Sequence, residues 1–99
     1  MSTIKRFFAA FGGRRTKIDE QRKLVRESRD GYKYCDGQRC LHLQIDMLSG
    51  KPDRLLYSST IRQWLPPYEK EEILDAERRQ IAETIKTFIE RHGHTVTIQ

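Results

Sequence analysis

A strict alternation of apolar and polar residues near the middle of the chain constrains the fold more than any other feature. Along residues 41–47 every second residue is apolar, and the residues between them are polar. A period of two places alternate side chains on opposite faces of a β-strand. We therefore predict a strand here, with one face in a core and the other in solvent. The predicted core face comprises Leu41, Leu43, Ile45 and Met47, and the polar face comprises His42, Gln44 and Asp46.

Turn signals on both sides of this strand predict an antiparallel meander. Asp30-Gly31 and Asp36-Gly37 are typical of tight hairpin turns, because glycine adopts the positive φ that these turns need. Residues 49–53 contain another Gly and a Pro and predict a further turn. The turns bound four predicted strands, at residues 24–28, 32–34, 41–47 and 54–64.

One amphipathic helix and a last strand follow the meander. Pro66-Pro67 ends strand pairing, because proline has no N–H to donate to a neighbouring strand. A helix is predicted with Asp75 as its N-cap and Gly93 as its left-handed stop. Alternation resumes at residues 94–99 and predicts the final strand. The apolar stripe of the helix consists of Ile81, Ile85, Phe88 and Ile89.

The element order β-β-β-β-α-β predicts an α+β fold, a two-layer sandwich in which one helix packs on an antiparallel sheet. A length of 99 residues fits one domain. We assign residues 23–99 to that domain and residues 1–22 to a basic N-terminal arm. Residues 2–11 have the apolar spacing of a short amphipathic helix, which either docks on the domain or binds a membrane surface or a partner. We expect a single core that contains Leu41, Leu43, Ile45, Ile81, Ile85 and Phe88.

The net charge of +5 is concentrated in the first third of the chain. Residues 1–33 hold ten Lys or Arg and four Asp or Glu, whereas residues 34–99 hold nine and ten. A basic arm attracts nucleic acids and membrane surfaces through a field that salt screens. This favours a nucleic-acid-binding or regulatory module as an alternative function, with Tyr32, Tyr34 and Tyr57 as possible base-stacking residues. The polyanion-binding candidates are Lys5, Arg6, Arg14, Arg15 and Lys17.

Apolar runs and cysteines bear on the compartment. No run approaches the roughly 20 apolar residues that span a bilayer, and the apolar block at residues 7–11 is too short for a signal peptide. We therefore expect a cytoplasmic protein. Cys35 and Cys40 are too few for a disulfide scaffold, and we expect reduced thiols in or beside a hairpin. With His42 they do not supply the four ligands of a structural zinc site, so we expect neither a metal nor a cofactor.

The residues that catalysis needs do not converge in this sequence. Ser58, Ser59 and Thr60 have no Gly-rich elbow around them, and no phosphate-binding loop or dinucleotide fingerprint occurs. Binding is therefore the expected activity. Trp64, Pro66-Pro67 and the acidic residues after them predict a stiff edge suited to protein recognition, although the tryptophan equally fits the core. The partner-binding candidates are Trp64, Tyr68, Glu69, Glu71 and Glu72.

Two motifs resemble a known family. The Trp-x-Pro-Pro sequence at residues 64–67 and the Asp-x-Glu-Arg sequence at residues 75–78 are similar to those of immunity protein family seventy-four, from bacterial polymorphic-toxin systems. The resemblance covers about residues 23–99. It implies a β-rich sheet with a C-terminal helix, and a non-catalytic protein that binds and neutralises a cognate toxin domain. Immunity proteins against nucleases are often acidic, so the basic charge here disfavours a nuclease partner.

Overall fold

The structure, a computed structural model, describes residues 15–99, with side chains from Lys17 onward. The suggested helix at residues 2–11 lies outside that range, as do the candidates Lys5, Arg6 and Arg14. The described elements are β1 (Arg15–Lys17), β2 (Arg22–Arg26), β3 (Gly31–Asp36), β4 (Arg39–Met47), β5 (Arg54–Tyr57), a 3-10 helix (Ser58–Thr60), α1 (Asp75–Arg91) and β6 (Val96–Ile98).

The strands form one sheet in the order β1-β2-β3-β4-β5-β6. The first five strands pair antiparallel as a meander. The chain then crosses over through α1, and β6 pairs with β5 in parallel. The predicted α+β class and the single C-terminal helix before a last strand are confirmed, and the parallel pair makes the sheet mixed.

The alternation in β4 predicts its two faces correctly over residues 41–46, but the assignment of Met47 to the core is wrong, since this last residue of the strand is 44% exposed. Leu43 is 4% exposed, whereas the side chain of His42 is 57% exposed. Ile81 and Ile85 of α1 are buried in the same core, and Phe88 is partly buried against it. The predicted core is therefore confirmed, because the strand and helix periods each define a single apolar face.

Two of the aromatic residues proposed for base stacking face that core. Tyr34 is 2% exposed and is among the largest fully buried side chains. Tyr32 packs against the core cluster from its edge. The stacking role suggested for these two residues is therefore wrong, because their rings serve the packing between sheet and helix.

Part of the predicted arm belongs to the sheet. The arm was assigned to residues 1–22, but Arg15–Lys17 form β1 and Arg22 begins β2. The turn between the strands is held by Asp19, whose Oδ1 accepts hydrogen bonds from the backbone N–H groups of Gln21 at 3.0 Å and Arg22 at 2.8 Å. A short polar strand has no apolar alternation, so the sequence pattern misses it.

The predicted fourth strand is too long. β5 ends at Tyr57, and Ser58–Thr60 turn as a 3-10 helix. Gln44 lies opposite Tyr57 at the end of β5, and its backbone N–H donates to Thr60 Oγ1 at 3.0 Å. The chain then returns to β4 and forms an isolated bridge between Leu41 and Trp64.

The ends of α1 differ slightly from the prediction. Leu74 is the N-cap and makes no side-chain cap hydrogen bond, so Asp75 is the first helical residue instead. Asp75 and Glu77 lie in the first turn, where the helix dipole favours negative charge. Gly93 has a φ of 93°, which confirms the predicted left-handed stop.

The two cysteines form a disulfide, so the expectation of reduced thiols is wrong. Cys35 of β3 and Cys40 of β4 are directly opposed across the hairpin, with 4.0 Å between their Cα atoms. Such close pairs occur at the non-hydrogen-bonded positions of antiparallel ladders. Disulfides persist mainly in oxidising compartments. The cytoplasmic expectation therefore stays a prediction that the redox state of this pair in cells will test.

Candidate partner-binding site

The residues that follow Trp64 form an acidic loop, residues 65–74, which lies beside the β3–β4 hairpin. The backbone N–H of Leu65 donates to the carbonyl oxygen of Cys40 at 2.7 Å. The hydroxyl of Tyr68 donates to Gln38 Oε1 at 3.0 Å. The loop is thus fastened to the hairpin through backbone and side-chain hydrogen bonds.

Hydrogen bonds within the acidic loop also shape it. The backbone N–H of Tyr68 donates to the carbonyl oxygen of Leu65 at 2.9 Å, and that of Glu71 donates to the carbonyl oxygen of Tyr68 at 3.0 Å. These bonds define two consecutive turns. Ile73 at the far end of the loop is buried in the core. The loop therefore has a defined shape between two buried ends, Trp64 and Ile73.

Trp64 supports the site from below. Its side chain is 1% exposed and belongs to the core, so its ring does not lie on the surface as a partner anchor would. The core interpretation of this residue therefore holds. Its Nε1 atom has no hydrogen-bond partner among the described residues.

Arg39 connects the hairpin, the acidic loop and α1. Its Cζ atom lies 4.3 Å from the centroid of the Trp64 ring, a cation–π arrangement. Its Nη1 donates to Glu71 Oε1 at 2.8 Å, and its Nη2 is 3.8 Å from Glu77 Oε2. Sequence reasoning missed Arg39, because its partners are far along the chain and no local pattern indicates tertiary pairing.

The remaining candidates are exposed or half-exposed. Tyr68 is half-buried, and Glu69, Glu71 and Glu72 are exposed. Glu71 is paired with Arg39, whereas no basic side chain of the described part of the chain lies within 4.0 Å of Glu69 or Glu72. The predicted site residues are thus brought together in one loop, except that the tryptophan lies beneath it.

The sheet face opposite α1 carries a second, basic surface. Lys17 of β1 is directly opposed to Lys23 of β2. Val25 lies two residues after Lys23 and therefore on the same face of β2. Lys33 of β3 is directly opposed to Val25, so it projects from that face as well. Glu27 approaches Lys33 at 3.9 Å. We call Lys17, Lys23 and Lys33 the lysine face. Two predicted polyanion candidates therefore lie in β1: Lys17, which belongs to the lysine face, and Arg15, the first residue of the strand.

The polar face of β4 is occupied by its own hydrogen bonds. Glu27 Oε1 lies 3.1 Å from His42 Nε2. Asp46 accepts hydrogen bonds from Gln44 Nε2 and from the hydroxyl of Tyr57, both at 3.0 Å. The bond to the Asp46 carboxylate raises the pKa of Tyr57, because it stabilises the protonated phenol. These contacts link neighbouring strands across the sheet.

The described residues form neither a cluster of metal ligands nor a membrane-spanning helix. Between residues 15 and 99, His, Cys, Asp and Glu side chains do not gather in a group of three or more that could hold a metal ion. Over the same residues, the helix is neither long nor apolar enough to cross a bilayer. Ser58 Oγ donates to the carbonyl oxygen of Gln99 at 2.8 Å, which is a structural role.

The described residues form a small α+β domain that presents a fixed, acidic and exposed loop. The family model described as Immunity protein 74 matches residues 24–99 of this chain. The chain belongs to that family, as the resemblance of its Trp-x-Pro-Pro and Asp-x-Glu-Arg motifs implies. Membership makes it a non-catalytic immunity protein that neutralises a cognate toxin. No curated protein and no solved structure matches the chain.

Proposed function

We propose that this protein neutralises its cognate toxin by binding the toxin domain with the acidic loop. The observation that carries the proposal is the fastening of this loop to the β3–β4 hairpin, through Leu65 and Cys40 and through Tyr68 and Gln38. A loop that is already ordered loses less conformational entropy when a partner binds it. Tyr68 offers an amphipathic ring at the centre of this surface, and aromatic residues are enriched in binding hot spots.

The charge of the loop indicates the kind of surface that it fits. Residues 65–74 hold three Glu and one Lys. Complementary charge accelerates association and rejects partners of the same sign. The surface on the toxin is therefore expected to be basic, and the association rate is expected to fall as salt screens the attraction.

A charge reversal in the loop tests this proposal. The variant Glu69→Lys/Glu72→Lys is expected to keep the melting temperature and to lose protection of cells that express the cognate toxin domain. The matched control is Glu20→Lys/Glu83→Lys, because both residues are exposed, lie outside the loop and change the net charge equally. The control variant is expected to protect.

Two results would contradict the docking site. Equal protection by both variants would place the interface elsewhere, with the polar face of β4 (His42, Gln44 and Asp46) as the next candidate. Equal loss of protection would mean that net charge, not the loop, determines binding.

The lysine face supports a second candidate function, in which the protein binds the phosphate backbone of a nucleic acid. Lysines that are directly opposed across a sheet repel each other, as Lys17 and Lys23 do. Glu20 Oε1 lies 3.9 Å from Lys17 Nζ, but both side chains are exposed, so this pair offsets little of the repulsion. No carboxylate of the described residues is within 4.0 Å of Lys23 Nζ.

The salt dependence of binding to a fluorescent single-stranded oligonucleotide tests the second function in the full chain. Neutralising three lysines that contact phosphates reduces the slope of log K against log salt by about 2. The test variant is Lys17→Gln/Lys23→Gln/Lys33→Gln, and the matched control is Lys51→Gln/Lys70→Gln/Lys86→Gln. Equal slopes for the two variants would exclude the lysine face as the binding surface.

A further inference from the structure

We propose that Arg39 is a positioning residue for the toxin-binding surface, and that Glu71 anchors the acidic loop to Arg39 instead of contacting the toxin. The proposal rests on the function proposed above for the loop. It divides three neighbouring carboxylates into two classes. Glu71 holds the loop in place, and Glu69 and Glu72 are the carboxylates that the toxin contacts.

The backbone of Arg39 is fixed before its side chain makes any contact. Arg39 is the first residue of β4 and pairs with Asp36 across the hairpin turn. Its neighbour Cys40 is joined to Cys35 by the disulfide, and Cys40 also accepts the hydrogen bond from Leu65 of the loop. The guanidinium therefore extends from a rigid base.

The guanidinium of Arg39 contacts Trp64 and Glu71 at the same time. Its Cζ atom lies over the Trp64 ring, 4.3 Å from the centroid, while Nη1 donates to Glu71 Oε1 at 2.8 Å. A planar guanidinium can stack on an aromatic ring and donate in its own plane, whereas the compact ammonium of lysine cannot do both. Because Arg39 is only 30% exposed, water screens these contacts less than it screens a fully exposed pair.

The three carboxylates of the loop differ in whether a basic side chain of this protein already pairs with them. The charge of Glu71 is compensated by Arg39, so a basic residue of the toxin would have to compete for that carboxylate. Glu69 and Glu72 are exposed, and the basic side chains of residues 17–99 all lie beyond 4.0 Å from them. An uncompensated carboxylate gains more from a cation of the partner than one that is already paired.

Amide hydrogen exchange of the full chain tests the positioning role without any partner. The amides of Tyr68 and Glu71 are hydrogen-bonded within the loop. In Arg39→Met these two amides are expected to exchange about tenfold faster or more, while the amides at the centre of α1 keep their protection. Arg39→Lys is expected to restore part of the protection, because it keeps the charge and loses the combined stacking and pairing. The control is Arg62→Met, at an exposed arginine, which is expected to leave loop exchange unchanged.

Two variants that remove the same charge test the division of the carboxylates. Glu69→Gln/Glu72→Gln removes two carboxylates that have no basic partner among residues 17–99, and it is expected to weaken binding of the cognate toxin domain by about tenfold or more. Glu69→Gln/Glu71→Gln keeps an oxygen that accepts from Arg39 and is expected to weaken binding clearly less, by about threefold. Arg39→Met is expected to weaken binding as well, although Arg39 does not contact the toxin.

The outcomes separate this proposal from the function on which it rests. Unchanged exchange of Tyr68 and Glu71 in Arg39→Met would overturn the positioning role. Equal weakening by the two glutamate variants would overturn the assignment of Glu71. Fast loop exchange in Arg39→Met combined with full toxin binding by Glu69→Gln/Glu72→Gln would overturn the docking site itself, while Arg39 would remain the residue that orders the loop.

Discussion

Two of the four hairpins of the meander, β1–β2 and β3–β4, are stabilised very differently. The β1–β2 hairpin joins strands of three and five residues through a turn held by Asp19. The β3–β4 hairpin joins strands of six and nine residues and is fastened further by the disulfide, by Arg39 and by the acidic loop. Turn residues therefore determine where a hairpin forms. Contacts with distant parts of the chain, such as the acidic loop, determine whether the hairpin is rigid enough to support a binding surface.

The largest expected difference between the hairpins lies in the core. β4 buries Leu41, Leu43 and Ile45, whereas β2 buries Leu24 alone. Replacing Leu43 with Ala is expected to reduce the free energy of unfolding by about 2–5 kcal/mol, since it leaves a cavity in the core. Urea denaturation followed by circular dichroism measures this loss. His42→Ala is the control on the exposed face of the same strand, with an expected change within about 0.5 kcal/mol. Similar losses for both variants would contradict the face assignment.

Reduction of the disulfide is expected to have the next largest effect. A cross-link between Cys35 and Cys40 closes a short loop, and its removal is expected to cost about 2 kcal/mol of stability through the entropy of the unfolded chain. The midpoint of urea denaturation with and without reductant measures this. Cys35→Ser/Cys40→Ser is the control, because its midpoint has no disulfide to lose. A wild-type midpoint that reductant leaves unchanged would contradict the prediction.

Removal of β1 is expected to have a smaller effect. A chain without residues 1–21 is expected to unfold cooperatively, because the buried residues begin at Leu24. The expected loss is about 1 kcal/mol, since Ile18 is only partly buried against the core. Removal of residues 1–14 is the control, because β1 as described begins at Arg15. Non-cooperative unfolding of the chain without residues 1–21 would contradict this prediction, because it would mean that cooperative folding needs β1.

The smallest expected effect is a pH dependence of the β1–β2 turn. The hydrogen bond from the Arg22 side chain lowers the pKa of Asp19 from 3.8 to about 2. Because the folded pKa is the lower one, the stabilisation is complete above pH 3.8 and is lost as the pH falls towards 2. An NMR titration of the Asp19 carboxyl measures the pKa, and Asp19→Asn is expected to flatten the acid limb of the stability curve. Titration of Asp19 near 3.8 would contradict the contact.

Sequence patterns predicted the elements whose signal lies within a few residues. The period of two in β4 and the apolar stripe of α1 each defined the correct buried face, because one face of each meets the same core. The same reasoning missed β1, which has no apolar residue, and extended β5 past Tyr57, where the chain turns as a 3-10 helix. The sequence was compatible with Trp64 either in the core or on the binding edge, so it did not decide between these two positions.

Other features of the site depend on pairings that no local pattern encodes. Arg39 contacts Trp64, Glu71 and Glu77 only because the hairpin, the loop and α1 meet in space. The spacing of Cys35 and Cys40 fits reduced thiols and a cross-strand disulfide equally well, and the direct opposition of the two residues in the ladder decides between them.

The parallel pairing of β5 with β6 has a consequence for when the protein becomes competent to bind. This pairing joins Arg54 to Val96, residues farther apart in the sequence than those of any other strand pair described from residue 15 onward. The acidic loop and α1 both lie inside the segment that this pairing closes. The five strands of the meander pair through short connections, but the crossover is complete only when β6 lies beside β5. The loop is therefore framed by the last strand pair that the chain can form during synthesis, so we expect folding of the binding surface to lag behind folding of the meander.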